Sequence, residues 1–212
     1  MSKEKDKVFI FGAGGHGKVI LDILLESGIE VTGFLDDDKN KIGQDILGFK
    51  VLGNLSYVDK GGKIALGIGD NRIRYKIFME AKKRDIKILS AVHPKAVVSR
   101  FAKIGEAAAI MAGAIINPAV VVEDGVVVNT GATVDHDCLL KEFCQIWPGA
   151  HLAGAVTVGE FSYVGTGAAV IRNICIGREV IIGAGAAVIS DIPDKVKAIG
   201  VPAKIVKEKQ DK

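Results

Sequence analysis

From residue 98 onward, an aliphatic side chain returns at every sixth position of the chain. The spacing continues without interruption to residue 188, and a small residue, usually alanine, tends to stand four positions after each aliphatic one. A six-residue period predicts a parallel β-helix, in which each repeat is a short strand followed by a tight turn. The aliphatic positions are Val98, Ile104, Ile110, Ile116, Val122, Val128, Val134, Leu140, Ile146, Leu152, Val158, Val164, Val170, Ile176, Ile182 and Val188.

Three such repeats close one triangular coil of eighteen residues, so the register leaves room for about five coils. The aliphatic residue should fill the interior and stack on its counterpart in the coil below. The small residue should fit where two walls meet. Glycine directly after the aliphatic residue, as at Gly159 and Gly165, should sit in the turn.

The part of the chain before the repeat follows a different pattern. Apolar runs such as "KVFIF" and "GKIAL" alternate with amphipathic stretches of helical period, one of them ending at Gly28. Alternating strands and helices predict a small parallel α/β domain. We therefore expect a Rossmann-like domain over residues 1–95, followed by a β-helix domain over residues 96–212.

A glycine-rich turn connects the first predicted strand to the first helix. "GAGGHG", residues 12–17, lets the backbone approach a phosphate closely, and the free amides at a helix start favour an anion. Asp36, which ends the second predicted strand about 20 residues later, is the acid that could bind a ribose. A full dinucleotide site is disfavoured because the α/β domain is short; a nucleotide or nucleotide-sugar is preferred, and a turn without ligand remains open. The expected crevice residues are Gly14, Gly15, His16, Asp36, Asp37 and Gly69.

One histidine of the repeat carries candidate chemistry. His136 follows the inward-facing Val134 and so belongs to the outer surface, with Gly154 eighteen residues later and therefore one coil above. An acyl transfer needs a base and a donor for the developing oxyanion, which His136 and the Gly154 N–H could supply. Asp137 could hold the imidazole tautomer. A solvated surface histidine is the alternative; a zinc site is disfavoured because no other histidine or cysteine has ligand spacing.

Charge and cysteine content exclude several classes. The formal net charge is +3, with both signs scattered along the chain, so no nucleic-acid partner is indicated. No apolar run reaches the roughly 18 residues of a membrane span. Three cysteines without a paired spacing predict a reduced, cytoplasmic chain. Cys138 and Cys144 occupy the small-residue position of the repeat, which disfavours an acyl-cysteine intermediate.

From Val8 to Lys204 the order of motifs resembles the sugar O-/N-acyltransferases of the sialic acid O-acetyltransferase family. The resemblance is carried by "GAGGHGK", "FLDDD", "GIGDN", "HP", "VNTGATVDHDC", "PGAHLAG" and "AIGVPAK". These are left-handed β-helix enzymes, and the likeness is greatest to UDP-4-amino-sugar N-acetyltransferases such as UDP-N-acetylbacillosamine N-acetyltransferase.

The resemblance implies acetyl-coenzyme A as co-substrate, no metal, and a homotrimer with active sites between subunits. The implied acceptor is the 4-amino group of a UDP-linked 4-amino-4,6-dideoxy sugar, a precursor of a surface glycan. By the same resemblance His136 is the general base, Asp137 raises its basicity, and Asn129 lines the substrate cleft. The implied coenzyme A contacts are Gln145, Gly154, Thr166 and Ala184, with the Gly200–Lys204 loop at the far end.

Two departures from the family pattern and three rival functions remain. Some relatives carry a histidine where this chain has Gln145, and Trp147 could narrow the acceptor pocket, cover the pantetheine arm or pack across a trimer interface. One rival function is O-acetylation of sialic acid or another sugar. A second is a nucleotide-binding regulatory protein that uses its β-helix only to trimerise. The third is a nicotinamide-dependent dehydrogenase, which the short α/β domain disfavours.

Overall fold

The computed structural model describes residues 7–58 and 62–206 of the chain. These residues divide into two compact units. The first contains residues up to 94 together with Glu106–Ala109, and the second contains residues 95–105 and everything from 110 onward. Glu106–Ala109 lie inside the hexapeptide register yet group with the first unit. The domain boundary at residue 95 stays a prediction.

The first unit is built around a buried parallel sheet. Strand β1 (Val8–Phe11) lies at its centre and pairs in parallel with β2 (Gly33–Leu35) and β5 (Lys63–Leu66). All four residues of β1 are buried, as expected of a strand covered on both faces. The other elements are α1 (Gly15–Glu26), β3 (Asp45–Ile46), β4 (Phe49–Gly53), α2 (Asn71–Lys83), β6 (Lys87–Leu89), β7 (Ala91–Val92) and short 3₁₀ turns at Lys39–Lys41 and Leu55–Tyr57.

The strand order in this sheet is β3-β4-β2-β1-β5-β6. Residues 45–53 form a hairpin, β3 and β4, that the sequence reading did not identify. Its turn, Leu47 and Gly48, takes positive φ at both residues, a conformation that usually signals itself as Asn-Gly or Asp-Gly. Because leucine occupies the first turn position, the sequence does not signal this hairpin.

The second unit is a parallel β-helix, as the register predicts, and it is left-handed, as the family resemblance implies. Each predicted aliphatic residue is the second residue of a two-residue strand, and from Ile110 to Val188 each is buried. Successive coils pair at an offset of eighteen residues, for example Val134 with Leu152. The strands β8–β23 are Val97–Val98, Lys103–Ile104, Ala109–Ile110, Ile115–Ile116, Val121–Val122, Val127–Val128, Thr133–Val134, Leu139–Leu140, Gln145–Ile146, His151–Leu152, Thr157–Val158, Tyr163–Val164, Ala169–Val170, Cys175–Ile176, Ile181–Ile182 and Ala187–Val188.

The chain runs around three faces in turn. One face stacks β8, β11, β14, β17, β20 and β23, and the next stacks β9, β12, β15, β18 and β21. The third face includes β13, β16, β19 and β22. It is extended by β24 (Lys197–Ile199), which pairs in parallel with β22, and by β25 (Lys204–Val206), which pairs antiparallel with β24. Residues between strands turn the three edges of the prism, and these edges position the candidate catalytic groups.

Candidate active site

His136 occupies the turn between β14 and β15, at one edge of the prism. Its Nδ1 lies 2.8 Å from Oδ2 of Asp137, and both side chains are more than half exposed. Asp137 has φ +61°, a left-handed conformation that aspartate tolerates better than most residues. The turn therefore fixes the carboxylate beside the ring.

The contact with Asp137 determines which nitrogen of His136 can act as a base. A carboxylate oxygen can only accept, so Nδ1 carries the hydrogen and the neutral ring presents its lone pair at Nε2. The hydrogen bond to Asp137, together with the negative charge of Asp135, raises the pKa of His136 above its ordinary value of 6.5. Nε2 is thus a stronger proton acceptor than in a free imidazole.

Gly154 lies directly over the imidazole, one coil above. A Cβ atom at this position would stand 2.5 Å from Cε1 and 2.7 Å from Nε2 of His136, so only glycine leaves room for the ring. The coils are joined here by the Ala155 N–H, which donates to the His136 carbonyl oxygen across 2.9 Å. Among the described residues no acceptor is bonded to the Gly154 N–H. A proton acceptor and a backbone donor without an acceptor therefore share one edge.

A second carboxylate belongs to the same turn, and sequence reasoning gave it no role. Oδ1 of Asp135 accepts the His136 backbone N–H at 2.8 Å and the Asn117 side-chain amide at 2.9 Å. Asn117 stands eighteen residues earlier, one coil below. That spacing is the signal by which the sequence could have revealed the pair.

The other predicted residues of the β-helix lie elsewhere on the prism. Asn129 is in the turn before β14, and its Oδ1 accepts the Thr130 N–H at 2.8 Å. Thr166 and Ala184 are exposed in turns of that same edge, two and three coils higher. One chain therefore groups these three on one edge and His136 with Gly154 on the next, with the face carrying Thr133 and His151 between them. Their ligand contacts stay predictions.

Gln145 is buried on a strand of the third face. Its Oε1 accepts the Trp147 indole N–H at 3.2 Å, and the indole packs edge-on against Tyr163 with 5.9 Å between ring centroids. The indole is partly exposed and held from two sides. As a coenzyme A contact Gln145 stays a prediction.

In the first unit, the predicted crevice residues meet around one cavity of about 460 Å³. They come from three loops at the carboxyl ends of β1, β2 and β5, where ligands of parallel sheets bind. The cavity is lined by Gly14, Gly15, His16, Asp36, Asp37 and Gly69, together with Phe11, Gly12, Ala13, Lys41, Gly67, Ile68 and Ile73. A neighbouring cavity of about 400 Å³ shares Asp36 and Asp37 and continues to Asn54, Ser56 and Tyr57, a segment that the sequence reading passed over.

The glycines around this cavity serve different purposes. A Cβ on Gly12, which has φ +112°, would stand 2.5 Å from the Gly67 carbonyl oxygen, and one on Gly67 would stand 2.6 Å from the Cα of Gly17. These three glycines let the loops and α1 pack together. Gly14 and Gly15 have open space where a side chain would be and no positive φ. Packing does not require glycine at these two positions, whereas close approach of a ligand would.

The amino end of α1 is open toward the same loop. Gly14 is its N-cap and offers no side-chain acceptor, whereas Asp70 caps α2 by accepting the Ile73 N–H at 2.8 Å. Among the described residues the N–H groups of Gly14, Gly15 and His16 are bonded to no acceptor. Uncapped amides of this kind favour an anion.

Asp36 connects the two loops that frame the cavity. Its carboxylate accepts the N–H groups of Ala13 (2.9 Å) and Asp38 (3.0 Å) and pairs with the Lys41 ammonium at 2.9 Å. Burial raises the pKa of Asp36, but the hydrogen bonds from Lys41, Ala13 and Asp38 outweigh it and keep the pKa below its ordinary value. The predicted ribose acid therefore also orders the glycine-rich turn.

His16 brings an unsatisfied polar atom to this region. Its Nε2 is shielded from solvent and bonded to no partner among the described residues. Burial, and then the charge of Arg74, lower the pKa of His16 from 6.5 to about 4. Arg74 is itself buried and donates to the carbonyl oxygens of Ile68 (3.0 Å) and Gly69 (3.2 Å). At neutral pH the crevice thus holds an uncharged imidazole.

Other chemistry finds little support in the described residues. No group of three or more histidine, cysteine or acidic side chains in residues 7–58 and 62–206 is arranged to hold a metal ion. Cys138 and Cys144 are buried, and burial raises the pKa of the Cys138 thiol, which disfavours a thiolate there. In those same ranges, no helix has the length and apolar character needed to span a bilayer.

A small parallel α/β unit followed in the chain by a hexapeptide prism, with a histidine–aspartate pair at one edge of the prism, defines a class of sugar acyltransferases. Comparison with known proteins agrees. Residues 7–81 match the PglD N-terminal domain family. A perosamine N-acetyltransferase from Caulobacter crescentus, solved as a histidine-to-asparagine variant with CoA and GDP-perosamine, is 40% identical and covers 95% of this chain and 97% of its own, with a TM-score of 0.91. The acetyltransferase domain of PglB from Neisseria gonorrhoeae, solved with acetyl-coenzyme A, is 40% identical over 95% and 99% of the two chains, with a TM-score of 0.89.

The chain belongs to the left-handed β-helix sugar acetyltransferases and is an acyltransferase. An uncharacterized protein of Acanthamoeba polyphaga mimivirus is also similar, at 34% identity over 111 residues. That match takes in 50% of this chain but only 22% of the viral protein, so the chain spans about a fifth of that relative's length.

Proposed function

We propose that this protein transfers the acetyl group of acetyl-coenzyme A to the 4-amino group of a nucleotide-linked 4-amino-4,6-dideoxy sugar. The single observation that carries the proposal is the placement of the His136 imidazole against Gly154, with Asp137 on the far ring nitrogen. Acetyl-coenzyme A as donor is supported by the PglB domain, which binds it. An aminosugar as acceptor is supported by the perosamine N-acetyltransferase.

The reaction needs one proton acceptor and one oxyanion donor. Nε2 of His136 takes a proton from the attacking ammonium or from the tetrahedral intermediate, and the amine nitrogen bonds to the thioester carbonyl carbon. The Gly154 N–H donates to the oxyanion that develops there. The carbon–sulfur bond then breaks, and the proton held by the His136 imidazolium goes to the sulfur, so that coenzyme A leaves as the thiol. The other proton that the ammonium loses goes to solvent, which leaves the neutral amide. Since no acyl-enzyme forms, no cysteine is required.

The nucleotide occupies the crevice of the first unit. The open amides of Gly14, Gly15 and His16 receive the diphosphate, and Asp37, the free neighbour of the loop-bound Asp36, is available for the ribose. Uridine is the base we propose, and guanosine is the competing base because the Caulobacter relative binds GDP-perosamine. We propose the cytoplasm as the compartment, since both substrates carry charged nucleotides that do not cross a membrane unaided.

We further propose a homotrimer whose active sites lie between subunits. Support comes from the separation of the predicted ligand contacts: Thr166 and Ala184 lie on one edge of the prism and His136 on the next. A groove between two adjoining prisms could bring together edges that one prism keeps apart.

A thiol-release assay tests the proposed function. Purified protein is incubated with acetyl-coenzyme A and a panel of UDP- and GDP-linked 4-aminosugars, each matched by an analogue with a hydroxyl group in place of the amine, and with free sialic acid. We expect thiol release with an aminosugar and an amide in the product by mass spectrometry. Release with sialic acid or a hydroxyl analogue alone would instead establish an O-acetyltransferase.

A further inference from the structure

Asp135 is the second acid of the catalytic turn, and its orientation is fixed. Both hydrogen bonds it accepts, from the Asn117 amide and from the His136 N–H, go to Oδ1. Among the described residues Oδ2 accepts none. A carboxylate oxygen has two lone-pair sites, so one oxygen anchors the group while the other is available to a ligand.

The anchored carboxylate keeps its negative charge. The hydrogen bond from the His136 N–H, followed by that from Asn117, lowers the pKa of Asp135. The titratable groups around it are His136 and Asp137 of its own turn and the buried Cys138 thiol, whose pKa the charge of Asp135 helps to raise. The coil below contributes Asn-Pro-Ala (117–119) and the coil above Ala-Gly-Ala (153–155), neither of which carries a titratable side chain.

Small residues stand one coil above Asp135. Eighteen residues beyond Asp135 and His136 stand Ala153 and Gly154, and the next coil brings back larger side chains, Ile171 and Arg172. The coils are in register here, since the Asp135 N–H donates to the Leu152 carbonyl oxygen at 3.0 Å and the Ala153 N–H to Val170 at 3.0 Å. Ala153 therefore places only a methyl group over the carboxylate, while the space at Gly154 is taken by the His136 ring itself.

Asp135 helps Asp137 to raise the pKa of His136, but a fixed carboxylate beside the base can also bind a cation. Asp137 already orients the imidazole of His136, which is all that a hydroxyl acceptor would need. An alkylamine, by contrast, arrives largely as an ammonium ion near neutral pH. A fixed anionic oxygen beside the base would bind that ammonium and hold it for deprotonation.

We propose that Asp135, oriented by Asn117 from the coil below, binds the acceptor's ammonium group and so selects amine over hydroxyl acceptors. The inference rests on the proposed function, since it places the acceptor at His136. It assigns Asp135 to ligand binding and Asn117 to positioning. No bond to Asp135 is made or broken in the reaction.

Steady-state kinetics of Asp135→Asn test this, with the best aminosugar of the panel and its hydroxyl analogue as acceptors. Asparagine keeps an oxygen to accept both anchoring hydrogen bonds but removes the charge. We expect KM for the aminosugar to rise about 10- to 100-fold, the size expected for a hydrogen bond to a charged group. KM for acetyl-coenzyme A should stay within threefold, and the preference in kcat/KM for amine over hydroxyl should shrink by the same factor. Asn117→Ala, which frees the carboxylate, should raise the aminosugar KM less.

Asp191→Asn is the matched control, because Asp191 is exposed on the same edge and also accepts a backbone N–H, that of Cys175, at 2.8 Å. An unchanged aminosugar KM in Asp135→Asn, or equal losses with both acceptors, would overturn the inference while leaving the proposed function intact. Full activity of His136→Ala would overturn the proposed function itself. A wild-type enzyme that prefers the hydroxyl analogue would overturn both.

Discussion

The imidazole of His136 fills the space where a side chain on Gly154 would begin. The Cβ of an alanine there would stand 2.5 Å from the ring, closer than unbonded carbon atoms approach. Because the ring ends an exposed side chain with two free torsions, it can move aside at small cost to the fold. An alanine at position 154 should therefore lower the catalytic rate and leave the stability of the fold nearly unchanged.

Gly154→Ala should lower kcat about 10- to 100-fold, the cost of misplacing a catalytic group by about an ångström. Its free energy of unfolding in urea should change by less than about 1 kcal/mol. Gly159→Ala is the contrast: its Cβ would stand 2.6 Å from the backbone nitrogen of Arg178, which cannot move aside. That variant should lose about 2 kcal/mol or more of stability. Equal kcat in wild type and Gly154→Ala would show that the ring acts elsewhere.

Asp137→Asn should move the acidic limb of the pH profile. The base works only when neutral, so kcat/KM falls as pH drops through the pKa of His136, which Asp137 first and Asp135 second hold above 6.5. Removing the first cause lowers that pKa, so the limb should shift to lower pH. The plateau rate should also fall, because the asparagine amide can donate to Nδ1 and stabilise the wrong tautomer of the imidazole, which a carboxylate cannot do. Asparagine retains the tolerance for φ +61°. An acidic limb at the same pH as in wild type would show that Asp137 does not raise the pKa of His136.

Gly15→Ala and Gly12→Ala should separate binding from folding in the first unit. An alanine at Gly15 meets no protein atom within 4 Å but fills part of the cavity, so the nucleotide-sugar KM should rise about tenfold with stability retained. An alanine at Gly12 is forced into φ +112° and against Gly67, which should cost about 2 kcal/mol or more. Thermal unfolding and acceptor KM measured on both variants give the comparison. A destabilised Gly15→Ala with unchanged KM would contradict it.

His16 should make stability depend on pH. Its pKa is 6.5 unfolded and about 4 folded, so between these values the unfolded chain binds a proton that the folded chain does not. Stability is then full above pH 6.5 and falls as pH drops toward 4, by at most about 3 kcal/mol. His16→Gln should remove this part of the slope in urea unfolding at successive pH values. If the free energy of unfolding depends on pH equally in wild type and His16→Gln, the imidazole of His16 is exposed to water and this explanation is wrong.

The β-helix was predictable residue by residue, whereas side-chain contacts across coils were not. The six-residue period selects Val134 and Leu152 as stacked interior residues because a flat two-residue strand leaves one choice of inward side chain. The same count of eighteen placed Gly154 over His136. It did not show that Asn117 reaches Asp135, since a rotamer decides that contact.

In the first unit, the glycine-rich turn and the acid after β2 predicted the crevice, and the structure shows these residues lining one cavity. The hairpin at Asp45–Gly53 escaped notice because Leu47, not asparagine, takes the left-handed turn position. The bonds from Asp36 to Ala13 and Lys41 depend on loop geometry that no local pattern encodes. Asn129 is a further example. It lies close to His136 in sequence, but it belongs to the turn before β14, whereas His136 belongs to the turn after it.

Steady-state turnover of His136→Asn tests the central claim most directly. Asparagine keeps a polar side chain but has no basic nitrogen, so kcat should fall about 10²- to 10⁴-fold while the Kd of coenzyme A stays within threefold. His151→Asn, which replaces an exposed histidine of the adjoining face, should keep kcat within threefold. A kcat for His136→Asn within tenfold of wild type would contradict the account, because the transfer would then proceed without its base.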